Sequence, residues 1–400
     1  MDGILGPMDR LLLAGPLVSM GVLVLVALIG GEVAARWLRL SRIVGYAATG
    51  MALGALGVVP AELRDQARVA IDLCVGAILF ELGARIDLGW LRRAPWLAAL
   101  AVGESLVAGA ALYWMLSAGF GLPAALAACG AALGVSTSPA VVLRVARDLG
   151  AQGQVTERML MLSATNTAIA VVALAWITPA LSADAALTGS AIAVSLWVVS
   201  GSLFAAGVLA ALGLLVFRVV GKRRESQVAA AFGLIALASG LGVALHWSTP
   251  LTCLALGASM RATDHGQRMM AVDFGKAGQL IYVLLFALVG ANLDLRALAG
   301  AGAAALAFLA TRAAAKGVAV LALARATRQP ARQAALLALT LQPMFGLGVV
   351  LAQDAARVQP ALAETVVPLV LAAVVVFEVL GPLCVQVGLR LAGEAEPSPA

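Results

Sequence analysis

The chain has 400 residues, of which 62% are hydrophobic and only 12% charged, and its formal net charge is +6. Soluble domains carry about 25% charged residues, so the composition excludes an ordinary soluble protein and predicts a membrane protein. The basic residues lie in short loops between apolar stretches, which argues against nucleic-acid binding. The four cysteines are scattered through apolar segments without a metal-ligand or disulfide pattern, so we expect neither a metal site nor a cofactor.

A membrane-spanning helix needs about 20 apolar residues. The chain contains thirteen candidate stretches, at residues 11–35, 43–60, 68–84, 95–117, 123–145, 158–180, 189–218, 226–246, 248–263, 275–293, 298–324, 332–353 and 362–391. The first lacks a basic leading segment and a cleavage site, which favours a retained span over a signal peptide. We therefore predict an all-α polytopic membrane protein that forms a single transmembrane domain over residues 1–400, without a soluble regulatory domain.

The loops predict the orientation of the chain. Loops after odd-numbered spans hold nineteen basic residues, whereas loops after even-numbered spans hold four. Loops rich in lysine and arginine stay in the cytoplasm. The N-terminus is then expected outside and the C-terminus inside, and we expect a bacterial inner (plasma) membrane protein.

Two predicted spans are interrupted at corresponding places in the two halves of the chain. In span five, "GVSTSPAVVLRV" contains Ser136, Thr137, Ser138 and Pro139; in span twelve, "LTLQPMFGLGVV" contains Gln342, Pro343 and Gly346. Proline removes a backbone hydrogen bond, and the freed groups are tolerated in lipid only beside protein or a polar cavity. Ordinary proline kinks are the alternative. Two matched breaks flanked by polar residues favour inverted repeats with a transport site where the broken helices cross.

Seven stretches add a resemblance to a known family. They are "RIVGYAATGMALG", "ILFELGARIDLGWLRR", "STSPAVVLRVARDLGA", "LLFALVGANLDLRAL", "TRAAAKGVAVLALAR", "LTLQPMFGLGVVLAQ" and "FEVLGPL". In this order they resemble the monovalent cation:proton antiporters, which include sodium/proton exchangers and potassium-efflux-type systems. The resemblance implies about thirteen spans, a scaffold bundle that forms a homodimer, a core bundle that moves like an elevator, and Na⁺ or K⁺ exchanged against H⁺.

The sixth span departs from the pattern of that family. The resemblance implies an intramembrane Asp that binds the cation or protons, in an Asn-Asp or Asp-Asp pair. In "MLSATNTAIAVV" Asn166 is in place, but Thr167 stands where the Asp is expected, and Ser138 stands where some members have an Asp before the proline. Threonine and asparagine offer oxygen atoms but do not titrate, so coupling of cations to protons would require another group.

Among the glutamates within the predicted spans, three offer a proton-carrying or paired carboxylate: Glu81, Glu104 and Glu378. Glu81 ends span three, where it either has a transport role or pairs with Arg85. Glu104 lies near the middle of span four, where a charge is costly and is usually functional; the alternative is a protonated, hydrogen-bonded side chain. Glu378 in span thirteen belongs to a stretch that resembles the family's Glu-Gly-Pro motif, or is a structural partner of a basic residue.

Arg312 and Lys316 stand four residues apart and share one face of span eleven. Two cations within a membrane bundle need partners. We expect Lys316 to pair with an intramembrane Glu, to donate to carbonyls freed at a break, or to be a neutral amine that titrates.

These observations predict a secondary transporter that exchanges a monovalent cation for protons by alternating access. A carrier with the same fold but an altered substrate or without proton coupling is the second hypothesis, and a membrane sensor or assembly protein is the third. No constellation of a nucleophile with a base, or of metal ligands, indicates an enzyme.

Overall fold

The computed structural model describes residues 16–395 except 38–41, 58, 60, 87–88, 90–94, 182–189, 222, 265–274, 292–301, 325, 327–328 and 345–346. Within these residues the chain forms fifteen α-helices and no strand, which confirms the predicted all-α class. The helices are α1 Pro16–Arg36, α2 Arg42–Ala55, α3 Ala61–Arg85, α4 Pro95–Trp114, α5 Ala124–Val135, α6 Pro139–Asp148, α7 Gln154–Ala180, α8 Ala191–Val220, α9 Arg224–Ala244, α10 Thr249–Thr263, α11 Gly275–Ala291, α12 Gly302–Leu323, α13 Ala331–Thr340, α14 Leu347–Val358 and α15 Ala361–Ala392. A five-residue π-helical turn, Met115–Gly119, continues α4.

Several helices are long and apolar enough to cross a membrane. Within the described part of the chain seven stretches meet this criterion, one of which runs through α5 and α6 together. An eighth is α15, whose two parts are bent by 44°. Helices α2, α10 and α11 have 14, 15 and 17 residues, shorter than a full span. The chain is therefore an integral membrane protein, and the number of thirteen spans stays a prediction.

The two predicted interruptions are present. Helix α5 ends at Val135 and α6 begins at Pro139. The Ser138 hydroxyl accepts a hydrogen bond from the Val141 N–H at 3.2 Å, and proline follows at the first helical position, so the local sequence starts a new helix there. Helix α13 ends at Thr340 and α14 begins at Leu347; Gly346 lies outside the described residues. The prediction of two broken helices is confirmed.

The chain divides into two compact units. The first comprises Met1–Val75 and Asp273–Ala299, and within it α2 packs against α1 and α11. Small residues permit this contact, because a Cβ atom at Gly50 would lie 2.1 Å from the Ala287 carbonyl oxygen. The second comprises Gly76–Val272 and Gly300–Ala400. The expected division into a scaffold bundle that forms a homodimer and a core bundle that moves stays a prediction.

Both interrupted helices belong to the second unit. There α7 packs against α5, α6, α8 and α13, while α12 packs against α4, α13 and α15. One buried apolar cluster joins six of these helices through Leu100, Val142, Met159, Val320, Leu337 and Leu389. Close packing of this kind, rather than water exclusion, holds helices together in a bilayer, and it fixes the helices around the two breaks.

Candidate functional site

The two breaks touch each other. The Ser138 N–H donates to the Pro343 carbonyl at 2.9 Å, and the Thr137 hydroxyl donates to the Leu341 carbonyl at 3.2 Å. All four residues are buried. We call residues 134–138 and 340–343 the crossing. Backbone groups that a continuous helix would satisfy internally are here satisfied between the two interrupted helices.

Arg312, a residue of α12, extends its side chain into the crossing. Its Nε donates to the Gly134 carbonyl at 2.7 Å, its Nη2 to the Ser136 carbonyl at 2.6 Å and its Nη1 to the Gln342 carbonyl at 2.7 Å. The side chain is fully buried, and its Cζ lies 4.9 Å from the centre of the Phe377 ring. The carbonyls at the ends of α5 and α13 carry the negative ends of their helix dipoles, so the guanidinium neutralises both ends at once.

Lys316 lies one turn further along α12 and forms a buried ion pair with Glu104 of α4. The distance from Nζ to Glu104 Oε1 is 2.5 Å, and both side chains have 0% exposure. The same Nζ donates to the Thr137 hydroxyl at 3.1 Å. The second carboxylate oxygen, Glu104 Oε2, has no hydrogen-bond partner in the described part of the chain. The pair therefore joins α4 and α12 to the break between α5 and α6, and leaves one buried acceptor unused.

The polar cluster of the sixth predicted span lies on α7 and contacts the same break. Asn166 Nδ2 is 3.5 Å from Thr137 Oγ1, and Asn166 Oδ1 accepts from the Ser105 hydroxyl at 3.2 Å. The Thr167 hydroxyl donates to the Thr137 carbonyl at 2.7 Å, with the Ser163 carbonyl 3.0 Å away. These side chains are buried, so Thr137 is the residue at which α5–α6, α7 and α12 meet.

The remaining predicted site residues take different positions. Gln342 donates from Nε2 to the Ala338 carbonyl at 2.9 Å, and its buried Oε1 has no partner among the described residues. Glu81 forms an ion pair with Arg85 within α3. Glu378 belongs to α15, but its side chain lies outside the described residues. Pro139 begins α6, and the Pro343 carbonyl accepts the hydrogen bond from the Ser138 N–H at the crossing.

Two participants were not predicted from the sequence. Ser105 follows Glu104 in "GESL" and reaches Asn166, which a polar pair in an apolar helix could have indicated. Glu394, which follows α15, accepts hydrogen bonds from the first turn of α7. No local pattern in the sequence indicates that contact, because the partners are more than 200 residues apart.

The site contains one acidic side chain and two basic side chains. Glu104 is the only fully buried carboxylate among the described residues, while Arg312 and Lys316 are fully buried cations. Neutral oxygens of Ser105, Thr137, Asn166 and Thr167 surround them. Such a group of charged and polar side chains inside a membrane bundle can bind an ion or carry a proton.

Comparison with known proteins identifies the family. Residues 22–389 match the sequence profile of a family described as "Sodium/hydrogen exchanger, transmembrane". The chain belongs to the sodium/hydrogen exchanger family. Members of this family are transporters and not enzymes, and membership supports the prediction of cation:proton antiport. Among curated protein sequences, none matches the chain significantly.

The fold agrees with this family assignment. The chain is similar to the sodium proton antiporter MjNhaP1 from Methanocaldococcus jannaschii in a structure at pH 8, with a TM-score of 0.72 and 15% sequence identity, over 96% of this chain and 98% of that one. A second structure of the same antiporter, from an electron-microscopy map, gives a TM-score of 0.68 and 16% identity, over 96% and 99% of the two chains. At this identity the likeness concerns the exchanger fold alone.

Proposed function

We propose that the chain exchanges a monovalent cation, Na⁺ or K⁺, for protons by alternating access, with Glu104 as the carboxylate that the cation approaches. The observation that carries this proposal is the fully buried Glu104–Lys316 pair at the crossing, with one carboxylate oxygen unpartnered. Burying two charges costs several kcal/mol each, and charged residues inside a membrane bundle usually have a function. The pair is therefore the natural candidate for the ion-binding group.

The pair can couple a cation to a proton by competition. A cation that binds Glu104 meets the positive charges of Lys316 and Arg312, and in a low-dielectric site this repulsion is strong. Binding becomes favourable when Lys316 gives one proton to water, because the cation then replaces the ammonium as the partner of the carboxylate. Protonation of Lys316 from the other side restores the ion pair and expels the cation.

The neutral groups at the site supply further oxygen ligands. Thr137 Oγ1 accepts from Lys316, and the same oxygen can offer a lone pair to a cation that replaces the ammonium group. Asn166 Oδ1 and the Ser105 hydroxyl stand next to Thr137 and Glu104 and offer oxygens to a dehydrated ion. Arg312 is engaged by three carbonyls, so we expect it to remain charged and to hold the crossing together.

The test is transport in proteoliposomes under an imposed pH gradient, with Na⁺, K⁺ and Li⁺ added in turn. We expect one or more of these cations to drive proton flux in the wild-type chain and Glu104→Gln to reduce it to background. The matched control is Glu364→Gln, which removes an exposed carboxylate from the first turn of α15. A wild-type chain that moves no protons with any cation overturns the function; a fully active Glu104→Gln variant overturns the role of Glu104.

We further propose a homodimer in a bacterial inner membrane, with the N-terminus outside and the C-terminus in the cytoplasm. Contacts at one end of the second unit support this orientation. The loop before α7, the start of α13 and the C-terminal segment lie together, since Gln152 N–H donates to the Glu394 carbonyl and Arg332 Nη2 to the Leu391 carbonyl. These are segments whose basic residues predict a cytoplasmic position.

A further inference from the structure

The segment that follows α15 binds the first turn of α7. The Glu394 carboxylate accepts hydrogen bonds from the N–H groups of Val155 and Thr156, at 2.8 and 2.7 Å. It also accepts from the Thr156 hydroxyl at 2.8 Å. The Glu394 carbonyl accepts from the Gln152 N–H at 2.9 Å. We call this set of four hydrogen bonds the Glu394 clasp.

The backbone on both sides is shaped for the clasp. Gly393 ends α15 with φ +74°, a left-handed conformation that turns the chain towards α7. Opposite it, Gly153 has φ +152° and precedes α7. A Cβ atom at Gly153 would lie 2.3 Å from the Glu394 Cδ, so only glycine leaves room for the carboxyl group.

Electrostatics favour the clasp as well. The first N–H groups of a helix have no partners within the helix and carry the positive end of its dipole. A carboxylate that accepts two of them forms charge-assisted hydrogen bonds. Arg158, one turn further along α7, adds an attractive charge near Glu394. Glu157, in the same turn, is exposed.

The clasp connects the two helices that flank the ion site. Helix α7 carries Asn166 and Thr167, about 15 Å along the axis from Thr156 at 1.5 Å per residue. Helix α15 carries Phe377 against Arg312 and packs against α5, α6 and α13. A fixed distance between the end of α15 and the start of α7 therefore sets where Asn166 and Thr167 meet Thr137.

We propose that Glu394 is a positioning residue for cation binding, and that its clasp holds α7 in the register at which Asn166 and Thr167 reach the crossing. This inference rests on the proposed function for its transport measurement, but it also has a consequence that does not depend on transport. Loss of the clasp changes the contact between residues 137 and 167.

The transport test compares Glu394→Ala with Glu157→Gln, which removes a carboxylate from the same helix end without touching the clasp. We expect Glu394→Ala to raise the cation concentration for half-maximal flux by about tenfold, in the usual range for coupling between distant sites, and to leave the maximal rate per folded protein unchanged. Glu157→Gln should match the wild type. If Glu394→Ala lowers only the yield or the melting temperature, the clasp is merely structural and the proposal is overturned.

A rescue experiment and a flux-independent measurement complete the design. Cysteines in place of Thr156 and Glu394, joined by a short bifunctional thiol reagent, should restore the apparent cation affinity, and cleavage of the link should abolish it again. Separately, cysteines replacing Thr137 and Thr167 should cross-link quickly with Glu394 present and slowly in the Glu394→Ala background. Equal cross-linking rates overturn the inference even if transport is absent, whereas absent transport with unequal rates overturns the proposed function alone.

Discussion

Lys316 and Glu104 form the shortest polar contact among the described residues of the site, at 2.5 Å and out of contact with solvent. The two residues are 212 positions apart. Removal of either one is expected to lower the free energy of unfolding. Removing one member of a buried ion pair leaves an uncompensated charge, at a cost of about 3–5 kcal/mol, whereas replacing both by neutral groups is far less costly. The thermodynamic and the transport roles of the pair can thus be separated by mutation.

We expect Lys316→Met to lower the free energy of unfolding by about 3–5 kcal/mol, because Glu104 then loses its partner. The double variant Lys316→Met/Glu104→Gln should recover part of this loss. Thermal melts in detergent, beside flux in proteoliposomes, measure both effects. A Lys316→Met protein with the stability and the flux of the wild type would contradict both a structural role and a titrating role for Lys316.

Thr167 fills the position where the family resemblance implies an Asp. Its hydroxyl donates to the Thr137 carbonyl, which the break leaves without a helical donor. A carboxylate can only accept hydrogen bonds, so an acid at this position must hold a proton to keep that contact. Replacing Thr167 with Asp would therefore make the contact with the Thr137 carbonyl depend on protonation.

We expect Thr167→Asp to add an acidic group at the crossing and to give new or stronger cation-dependent proton movement. Thr167→Ser retains the hydroxyl donor and is the matched control, with transport like that of the wild type. The measurement is proton flux against external pH for each cation. A folded Thr167→Asp protein with an unchanged pH profile would show that position 167 lies outside the ion path.

At the scale of elements, the crossing depends on α12. Arg312 gives three hydrogen bonds to carbonyls at the ends of α5 and α13, so one side chain holds both half-helices. Helix ends buried without partners are strongly unfavourable in a membrane. The planar fork of arginine can reach three acceptors in fixed directions, which the single ammonium group of lysine cannot reproduce.

Arg312→Lys should therefore destabilise the protein although the charge is retained. Hydrogen bonds to a charged group contribute about 1.5–3 kcal/mol each, so the loss of one or two predicts a destabilisation of about 1.5–6 kcal/mol. The matched control is Arg357→Lys on α14, where the arginine pairs with Asp354 near the surface and little change is expected. Thermal melts measure both variants. An Arg312→Lys protein as stable as the wild type would show that the three hydrogen bonds of Arg312 do not hold the crossing together.

At the scale of the whole molecule, the orientation in the membrane rests on loop charge and on the segments that lie at one end of the second unit. Phe120, between α4 and α5, and Arg223, between α8 and α9, are both exposed. They follow an even-numbered and an odd-numbered predicted span, so their loops are expected on opposite sides of the membrane.

We expect a membrane-impermeant maleimide to label Phe120→Cys from outside intact cells and Arg223→Cys only after the membrane is opened. Labelling of the wild-type chain gives the background from its own cysteines, of which Cys74, Cys129 and Cys253 are buried and Cys384 is half-buried. Labelling of both positions from the same side would mean that the predicted alternation of spans is wrong between residues 120 and 223.

The sequence alone determined the features that depend on local chemistry. Its composition predicted a helical membrane protein, because a bilayer requires every backbone group to be satisfied within the chain. Ser138, Pro139 and Pro343 predicted both breaks, because proline and a capping serine act within a few residues. Seven stretches in order predicted the exchanger family, which the match over residues 22–389 confirmed.

Only the tertiary structure decided which distant residues meet. Three glutamates could have partnered Lys316, and the packing of α4 against α12 brought Glu104 to it, while Glu81 pairs with Arg85. The carbonyls that bind Arg312 and the clasp of Glu394 on α7 have no sequence signature, because a backbone carbonyl or N–H is the same in every residue. Their accessibility depends on where helices end and how they pack, and those contacts join positions between 30 and 239 residues apart.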